Sequence, residues 1–386
     1  MSHFIQLHLL TAYPPGNLNR DDQGSPKTAK MGGYDRLRVS SQCLKRTWRT
    51  SDIFYHAMSD YIGTRTKEMG LKIYDILKNK EIKHKEAIEW TKPIAGVFGK
   101  LKELSKKEKE DLKDLSKVER EKKELIELEI EQLAFFDTEE EKAITALANA
   151  VATRREGPKN DELELLRKKM HAVDIALFGR MLASKPSYNV EAACQVAHAI
   201  SVHPIAIEDD YFTAVDDLNK GLEDMGAAHI GETRFAAGLF YSYICINREL
   251  LINNLNGNEE LANKAIRSLT EAAVKVAPEG KQNSFASRAY ASYVLAEKGD
   301  QQPRSLSVAY LKPINHREND DFIRDSIAAL IDQKNSFDQV YGKCGKAHIP
   351  FEQGESFCKD CGLDQYEMNV SKKHGTLSGL LDFISK

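Results

Sequence analysis

Two stretches of alternating apolar and polar residues predict strands in the main body. Residues 4–10 (FIQLHLL) repeat with the period of two that places alternate side chains on opposite faces of a sheet. Residues 238–247 (GLFYSYICIN) show the same period and are rich in aromatic and β-branched residues. Residues 258–278 instead carry apolar residues at helical spacing and end at a proline, which predicts a helix. Strands and helices in one body favour an α+β layered fold.

A short helix with two distinct faces is predicted near the N-terminus, in the stretch SSQCLKRTWRTS at residues 40–51. Leu44 and Trp48 lie four residues apart, so they share one face and would dock the helix on the main body. Lys45 and Arg49 share another face, which is expected to point outward. The pattern therefore predicts an amphipathic helix with a cationic outer surface.

The segment before this helix is predicted to be a loop followed by a strand. Residues 20–31 are polar, and Gly32 and Gly33 supply a turn before the strand YDRLRV. Either Ser40 or Ser41 can cap the helix, because a serine oxygen accepts a hydrogen bond from an unpaired backbone N–H of the first turn.

A local excess of positive charge surrounds the predicted helix. The whole chain has a formal net charge of −3, yet eight basic and three acidic residues lie between positions 16 and 50. A solvated cationic face is the plain explanation for two such residues on one helix, whereas an excess over the whole segment indicates an anion-binding surface. The basic residues are Arg20, Lys27, Lys30, Arg36, Arg38, Lys45, Arg46 and Arg49.

Residues 55–185 differ in character from the rest of the chain. Between positions 103 and 133, lysine and glutamate dominate and leucines recur at scattered spacings of three and four. This is typical of helices with exposed charges of mixed sign, and the absence of a strict heptad argues against a long coiled coil. The segment is predicted to be a helical insertion that projects from the main body.

The cysteines and the N-terminus bear on the cellular compartment. The first residues carry neither a basic region nor a small-residue cleavage site, and no window reaches eighteen apolar residues. We therefore expect neither a signal peptide nor a membrane span. Six cysteines in 386 residues do not make a disulfide framework, so we expect a reducing cytoplasm.

The C-terminal stretch KCGKAHIPFEQGESFCKDCG has the residue types of a structural zinc site. A C-x-x-C pair followed by glycine is typical of zinc knuckles, although Tyr341 stands where a zinc ribbon would carry a cysteine. Free thiols are the alternative. The candidate ligands are Cys344, His348, Cys358 and Cys361.

Three sequence blocks resemble the CasC family, the backbone subunits of the type I-E CRISPR surveillance complex, Cascade. They are LNRDDQGSPKTAKMGGYDRLRVSSQCLKRTWR, VDIALFGRMLA at 173–183, and YFTAVDDL with GAAHIGETRFAAGLFYSYICIN between 211 and 247. A weaker fourth block is GKQNSFA at 280–286. The resemblance covers residues 1–335 apart from the divergent helical insertion.

The resemblance implies an α+β subunit shaped like a hand. Its palm would be a modified RRM-like (ferredoxin-like) sheet, its fingers a helical insertion and its thumb a protruding β-hairpin. The implied boundaries are palm 1–58, fingers 59–185, palm 186–201, thumb 202–236 and palm 237–386, the last with a zinc-knuckle-like segment at 341–362.

The resemblance also implies that the chain holds a CRISPR RNA by its sugar-phosphate backbone. Because the guide sequence changes with every spacer, only base pairing can read it. Met181 corresponds to a side chain wedged against a displaced nucleotide, and an ordinary core methionine is its alternative. Tyr211 and Phe212 either pack on that nucleotide or staple the hairpin. The residues expected to line the guide are Arg20, Lys27, Ser40, Gln42, Lys45, Arg46 and Arg49.

The implied partners are CRISPR RNA, target DNA through the guide, further copies of the chain and the other Cascade subunits, with no membrane. We expect a non-catalytic scaffold that needs no cofactor for RNA binding. The alternative is metal-dependent cleavage of target RNA by thumb aspartates, as in type III complexes, for which Asp216 and Asp217 are the candidates. A generic RNA-binding protein of the RRM class is less well supported, because residues 238–246 lack the RRM signature.

Overall fold

A computed structural model describes residues 3–214, 229–315, 321–343, 364–369 and 375–385. The chain divides into two compact units. The sheet unit comprises Met1–Ala57, Cys194–Glu249 and Asn263–Lys386, and the helical unit comprises Met58–Ala193 and Leu250–Ala262.

The elements mix strands and helices throughout, which confirms the α+β class. The strands are β1 (Phe4–Gly16), β2 (Thr28–Met31), β3 (Tyr34–Val39), β4 (Thr64–Thr66), β5 (Ala134–Phe136), β6 (Cys194–Val196), β7 (Ala199–Ser201), β8 (Glu208–Ala214), β9 (His229–Asn247), β10 (Tyr293–Gly299) and β11 (Asp364–Asn369). The helices are α1 (Ser41–Arg49), α2 (Asp52–Ala57), α3 (Met69–Asn79), α4 (His84–Gly96), α5 (Lys106–Asp111), α6 (Lys117–Glu124), α7 (Thr138–Arg154), α8 (Val173–Phe178), α9 (Arg248–Asn254), α10 (Glu259–Lys275), α11 (Gln282–Phe285), α12 (Phe322–Tyr341) and α13 (Leu377–Ser385). None of the helices in the described ranges has both the length and the hydropathy of a membrane span.

The sheet unit is built on an antiparallel sheet with β1 and β9 at its centre. The strand order is β11-β10-β1-β9-β7-β3-β2, and β6 and β8 also pair with β9. Leu7 lies opposite Ala296 of β10 on one side and Ile244 of β9 on the other. The strands predicted at 4–10 and 238–247 are thus confirmed as parts of β1 and β9.

The polar segment before β3 is not entirely loop, which corrects the expectation for residues 20–31. Its last four residues form β2, an exposed edge strand that pairs with β3 from Thr28↔Leu37 to Met31↔Tyr34. Gly32 and Gly33 have φ values of 61° and 83°, the left-handed conformation that a two-residue hairpin turn requires. An edge strand exposed to water needs no apolar alternation, so its sequence carried no strand pattern.

The alternation in β1 does not separate a buried face from a wet one. Ile5 and Leu7 are buried, and so are Gln6 and His8 on the opposite face. Gln6 Oε1 accepts a hydrogen bond from the Arg304 N–H at 2.8 Å, so this polar face of the strand is covered by another segment of the unit. Burial of these polar groups is tolerated because each has a partner.

His8 belongs to a buried polar network that reaches helix α12. Because the Glu297 carboxylate only accepts, His8 Nε2 donates to it at 3.2 Å, and His8 Nδ1 accepts from the Tyr241 hydroxyl at 2.8 Å. Arg304 pairs with Glu297 at 3.2 Å and with Asp338 of α12 at 2.8 Å. The network ties β1, β9, β10 and α12 together and leaves its charges paired.

The helical unit has a hydrophobic core of its own. Ile73 of α3, Ile94 of α4 and Val151 of α7 are each 0% exposed. The lysine- and glutamate-rich segment forms the short helices α5 and α6, and each begins at a serine-glutamate capping box. The prediction of charged helices without a long coiled coil is confirmed.

Candidate nucleic-acid interface

Helix α1 presents a cationic face because its apolar face is buried. Leu44 and Trp48 are each 2% exposed, which confirms the predicted docking pair. The Ser40 oxygen accepts from the Cys43 N–H at 3.3 Å. Of the two candidate serines, Ser40 is therefore the cap, and Ser41 is the first residue of the helix.

The outward residues of α1 are those selected from the sequence. Gln42 and Arg46 are exposed, and Lys45 and Arg49 are half-buried. The four side chains form two rows with a spacing of four residues. Arg46 and Arg49 also lie in the last turn, where positive charge stabilises the helix dipole, so they favour the helix even without a ligand.

Arg20 and Lys27 are brought to the N-terminal end of α1 by the loop that precedes β2. Asn19 fixes this loop, because its Oδ1 accepts from the Ser40 N–H at 2.9 Å and its carbonyl accepts from the Lys27 N–H at 2.8 Å. Arg20 forms a bridge with Pro26 across the same loop. Arg20, Lys27 and Ser40, far apart in sequence, therefore converge at one end of the helix.

The acidic residues of this segment leave several of its cations without an ion pair in the described part of the chain. Asp21 accepts from two backbone N–H groups of its own turn, both at 2.9 Å. Asp35 pairs with Lys30 at 3.5 Å. Within the described ranges, the solvent-accessible basic side chains of the segment that have no ion-pair partner are those of Arg20, Lys27, Arg38 and Arg46.

Arg36 is not part of this surface, although it is one of the eight basic residues of the segment. It is 0% exposed. Its Nη1 donates to the Ser201 carbonyl at 3.0 Å and its Nη2 to the Tyr310 carbonyl at 2.8 Å. Arg36 therefore holds β3 to the neighbouring chain segments and cannot contact an external anion.

A two-stranded ribbon formed by β8 and the start of β9 extends from the sheet. Its pairing runs from Glu208↔Phe235 to Ala214↔His229. Tyr211 is 66% exposed and Phe212 44%. A methyl group at Gly231 would lie 2.3 Å from Phe212 Cζ, so this ring covers the opposite strand and acts as a staple, whereas Tyr211 projects into solvent.

In the helical unit, the Met181 side chain points to solvent, whereas the preceding residue, Arg180, points into the core. Arg180 is 4% exposed and its Nη1 donates to the buried Glu140 carboxylate at 2.6 Å. Gly179 has a φ of 81°, and a Cβ there would lie 2.9 Å from the Val190 carbonyl. Met181 is 74% exposed, so it is not the core methionine that was its alternative.

The residues that the structure describes contain no candidate metal centre. No group of three or more His, Cys, Asp or Glu side chains there could hold a metal ion. Asp209 of the ribbon pairs with Arg234 at 3.0 Å. Asp216 and Asp217 lie outside the described residues. The predicted zinc ligands Cys344, His348, Cys358 and Cys361 lie outside them too, and the zinc site stays a prediction.

One contact beside Lys27 could not be predicted from the sequence. The sequence pattern places Arg38 in the basic segment but gives no reason to single out His198. The Arg38 Nη1 lies 3.1 Å from His198 Nδ1. In the sequence, His198 is only a single histidine in the mostly apolar stretch CQVAHAIS. Its contact with Arg38 depends on the pairing of β3 with β7, which the local sequence does not reveal.

The chain belongs to the family described as CT1975-like protein, whose family model matches residues 5–372. It is similar to a chain in a solved structure described as a CRISPR RNA-guided surveillance complex, pre-nicking. That match has 27% sequence identity and a TM-score of 0.72, and it covers 88% of this chain and 89% of the other. A second structure, described as a CRISPR RNA-guided surveillance complex, has 19% identity and a TM-score of 0.67 over 99% of both chains, and it supports the fold alone. The search of curated proteins finds no match.

These similarities confirm the predicted relationship to CRISPR surveillance-complex proteins at the level of family and fold. The assignment to type I-E and the RRM-like description of the sheet stay predictions.

Proposed function

We propose that this chain is a non-catalytic backbone subunit of a CRISPR RNA-guided surveillance complex. The observation that carries the proposal is the likeness, at 27% identity over 88% of the chain, to a chain of such a complex. In its finer form the complex is type I-E Cascade in the cytoplasm, and the sheet unit is an RRM-like palm. Several copies would polymerise along one guide RNA and present it, together with the other subunits, for pairing with target DNA.

The cationic face of α1 suits a guide whose sequence varies. Guanidinium and ammonium groups bind phosphates, which every nucleotide offers, and so they hold RNA without reading its bases. The amide of Gln42 can donate to a phosphate or ribose oxygen. The convergence of Arg20 and Lys27 on the start of α1 extends this row of donors beyond the helix.

Replacing the two cations that share one face of α1 tests this mode of binding. Lys45→Ala combined with Arg49→Ala is expected to weaken RNA binding by about tenfold or more and to flatten the log–log salt dependence by about 1.4, since each phosphate contact on a single strand contributes about 0.7. Fluorescence anisotropy on the full chain, with two single-stranded RNAs of equal length and unrelated sequence, measures both quantities.

The matched control removes two exposed cations elsewhere in the sheet unit, with Lys264→Ala on α10 and Arg324→Ala on α12. It is expected to bind both RNAs as the unchanged chain does. A loss confined to one of the two RNA sequences would contradict recognition of the backbone alone. Failure of the unchanged chain, co-expressed with its genomic neighbours, to carry any RNA would overturn the proposed function.

A further inference from the structure

Beside Lys27, the sheet unit holds an arginine-histidine pair with a defined geometry. Arg38 of β3 donates from Nη1 to His198 Nδ1 at 3.1 Å and from Nε to the Thr28 carbonyl at 3.1 Å. His198 lies in the short connection between β6 and β7, and β7 pairs with β3 through Arg38↔Ile200. Two hydrogen bonds from different nitrogens fix the plane of the guanidinium.

This pair is accessible to a ligand. His198 is exposed and Arg38 is half-buried. Within the described ranges, no carboxylate forms an ion pair with Arg38, and its Nη2 has no hydrogen-bond partner. The guanidinium therefore keeps donor capacity on a surface that water reaches.

The surroundings of His198 are positively charged. Lys27 and Arg38 line the same small cavity, and the Lys27 carbonyl accepts from the Arg38 N–H at 2.8 Å. Burial, followed by the charges of Arg38 and Lys27, lowers the pKa of His198 below its ordinary value. Burial disfavours a charge of either sign, but the charges of Arg38 and Lys27 that contribute to this shift also favour a bound anion.

The tautomer of His198 follows from its partner. A guanidinium only donates, so His198 Nδ1 must accept and the ring proton must lie on Nε2. The pair therefore offers a charged donor, Arg38 Nη2, and a neutral donor, His198 Nε2–H. Arg38 Nη2 can donate directly to a non-bridging oxygen of a phosphodiester, and His198 Nε2–H adds a second, neutral donor on the other side of the ring.

We propose that Arg38 and His198, together with Lys27, form a phosphodiester-binding subsite beside α1. Arg38 supplies the charge, and His198 orients Arg38 and donates one neutral hydrogen bond. The ligand is a backbone phosphate of the RNA assigned to the α1 surface, so this inference rests on the proposed function.

Three variants of the full chain test the subsite: Arg38→Ala, His198→Ala and His198→Gln. Arg38→Ala is expected to weaken single-stranded RNA binding about tenfold and to flatten the salt dependence by about 0.7, because a charged phosphate contact is lost. His198→Ala is expected to weaken binding about threefold with the salt dependence unchanged, because a neutral donor displaces no counterion. In His198→Gln the amide oxygen can accept from Arg38 and the amide nitrogen can donate, so binding is expected to stay within about twofold of the unchanged chain.

The control is Arg324→Ala, and the melting temperature of each variant is recorded so that a folding defect is seen directly. If Lys45→Ala with Arg49→Ala weakens RNA binding while Arg38→Ala and His198→Ala do not, the subsite is overturned and the proposed function stands. If the unchanged chain binds no RNA, the proposed function itself fails. A His198→Gln variant as weak as His198→Ala removes the orienting role of His198.

Single-stranded DNA of the same sequence identifies the chemical group that is bound. Equal fold losses on RNA and DNA support a phosphate contact. Losses seen with RNA alone indicate a ribose hydroxyl as the ligand and overturn the phosphate assignment.

Discussion

At the scale of single residues, the arginines of this protein divide by burial into two kinds. Arg36 and Arg180 are 0% and 4% exposed, and both satisfy buried acceptors. Arg46 and Arg20 are exposed and available to an external anion. Burying a guanidinium costs free energy unless hydrogen bonds offset most of the cost, so the two kinds cannot exchange roles.

Arg36→Met tests the structural role of the buried arginine. The substitution keeps similar apolar volume but leaves the carbonyls of Ser201 and Tyr310 without their donors, and an unpaired buried acceptor costs about 1–3 kcal/mol. We expect the free energy of unfolding to fall by about 2–4 kcal/mol, measured by urea denaturation. Arg46→Met on the exposed face of α1 is the control and is expected to change it by less than about 0.5 kcal/mol. An unchanged midpoint for Arg36→Met would show that these bonds are dispensable.

At the scale of elements, one polar network connects strands that are distant in sequence. Burial lowers the pKa of His8 below its ordinary value of 6.5, against the raising effect of Glu297, so the ring is neutral in the folded chain. Burial alone would raise the pKa of Glu297, but the hydrogen bond from His8 and the charges of Arg304 and Lys334 outweigh it and lower that pKa below its ordinary value. The network therefore depends on one neutral imidazole and one ionised carboxylate.

These shifts give stability a defined pH dependence. Below pH 6.5 the unfolded chain takes up a proton at His8 that the folded chain resists, so the free energy of unfolding falls as the pH falls. Below pH 4.5 the free energy of unfolding falls further, because protonation of Glu297 removes the advantage of its ionised form in the folded chain. Urea denaturation between pH 7.5 and 3 measures this.

The variant Glu297→Gln shows how much the ionised carboxylate contributes to the pH dependence of stability. It is expected to lower stability at pH 7.5 and to show a weaker dependence below pH 4.5. Glu249→Gln is the control, because Glu249 is an exposed partner of His3. Stability of the unchanged chain that rises between pH 6.5 and 4 would contradict the assignment of a neutral His8.

At the scale of the whole molecule, function depends on where charge lies rather than on its sum. The net charge of −3 would repel RNA at long range, yet the cations on α1 and on the loop and strand before it are concentrated in one segment of the sheet unit. The likeness to a surveillance-complex chain extends over 88% of the sequence and so includes the helical unit as well. The scaffold that we propose would need binding surfaces but no reacting groups.

A non-catalytic scaffold leaves bound target RNA intact. The assembled complex, incubated with Mg²⁺ and an RNA complementary to its guide, is expected to give no cleavage products on a denaturing gel. The alternative would be supported by specific cleavage that disappears in Asp216→Ala. A matched complex carrying a non-complementary guide controls for contaminating nucleases, whose products would appear with both guides.

Local periodicity determined much of the architecture. The strands at 4–10 and 238–247, the helix that ends before Pro278 and the docking pair Leu44 and Trp48 were predictable, because each pattern repeats within a few residues. The cationic face of α1 followed from the same spacing. Its assignment to guide RNA came from the resemblance to a family, since a cationic helix alone does not specify its ligand.

Contacts between distant positions were decided only by the tertiary structure. Pairing of β3 with β7 places Arg38 beside His198, and pairing of β1 with β10 places His8 beside Glu297. The burial of Arg36 depends in the same way on Ser201 and Tyr310. Sequence periodicity shows which residues share a face of one element, but which elements become neighbours depends on long-range packing, and that packing decides whether the same residue type is buried and paired or left to bind.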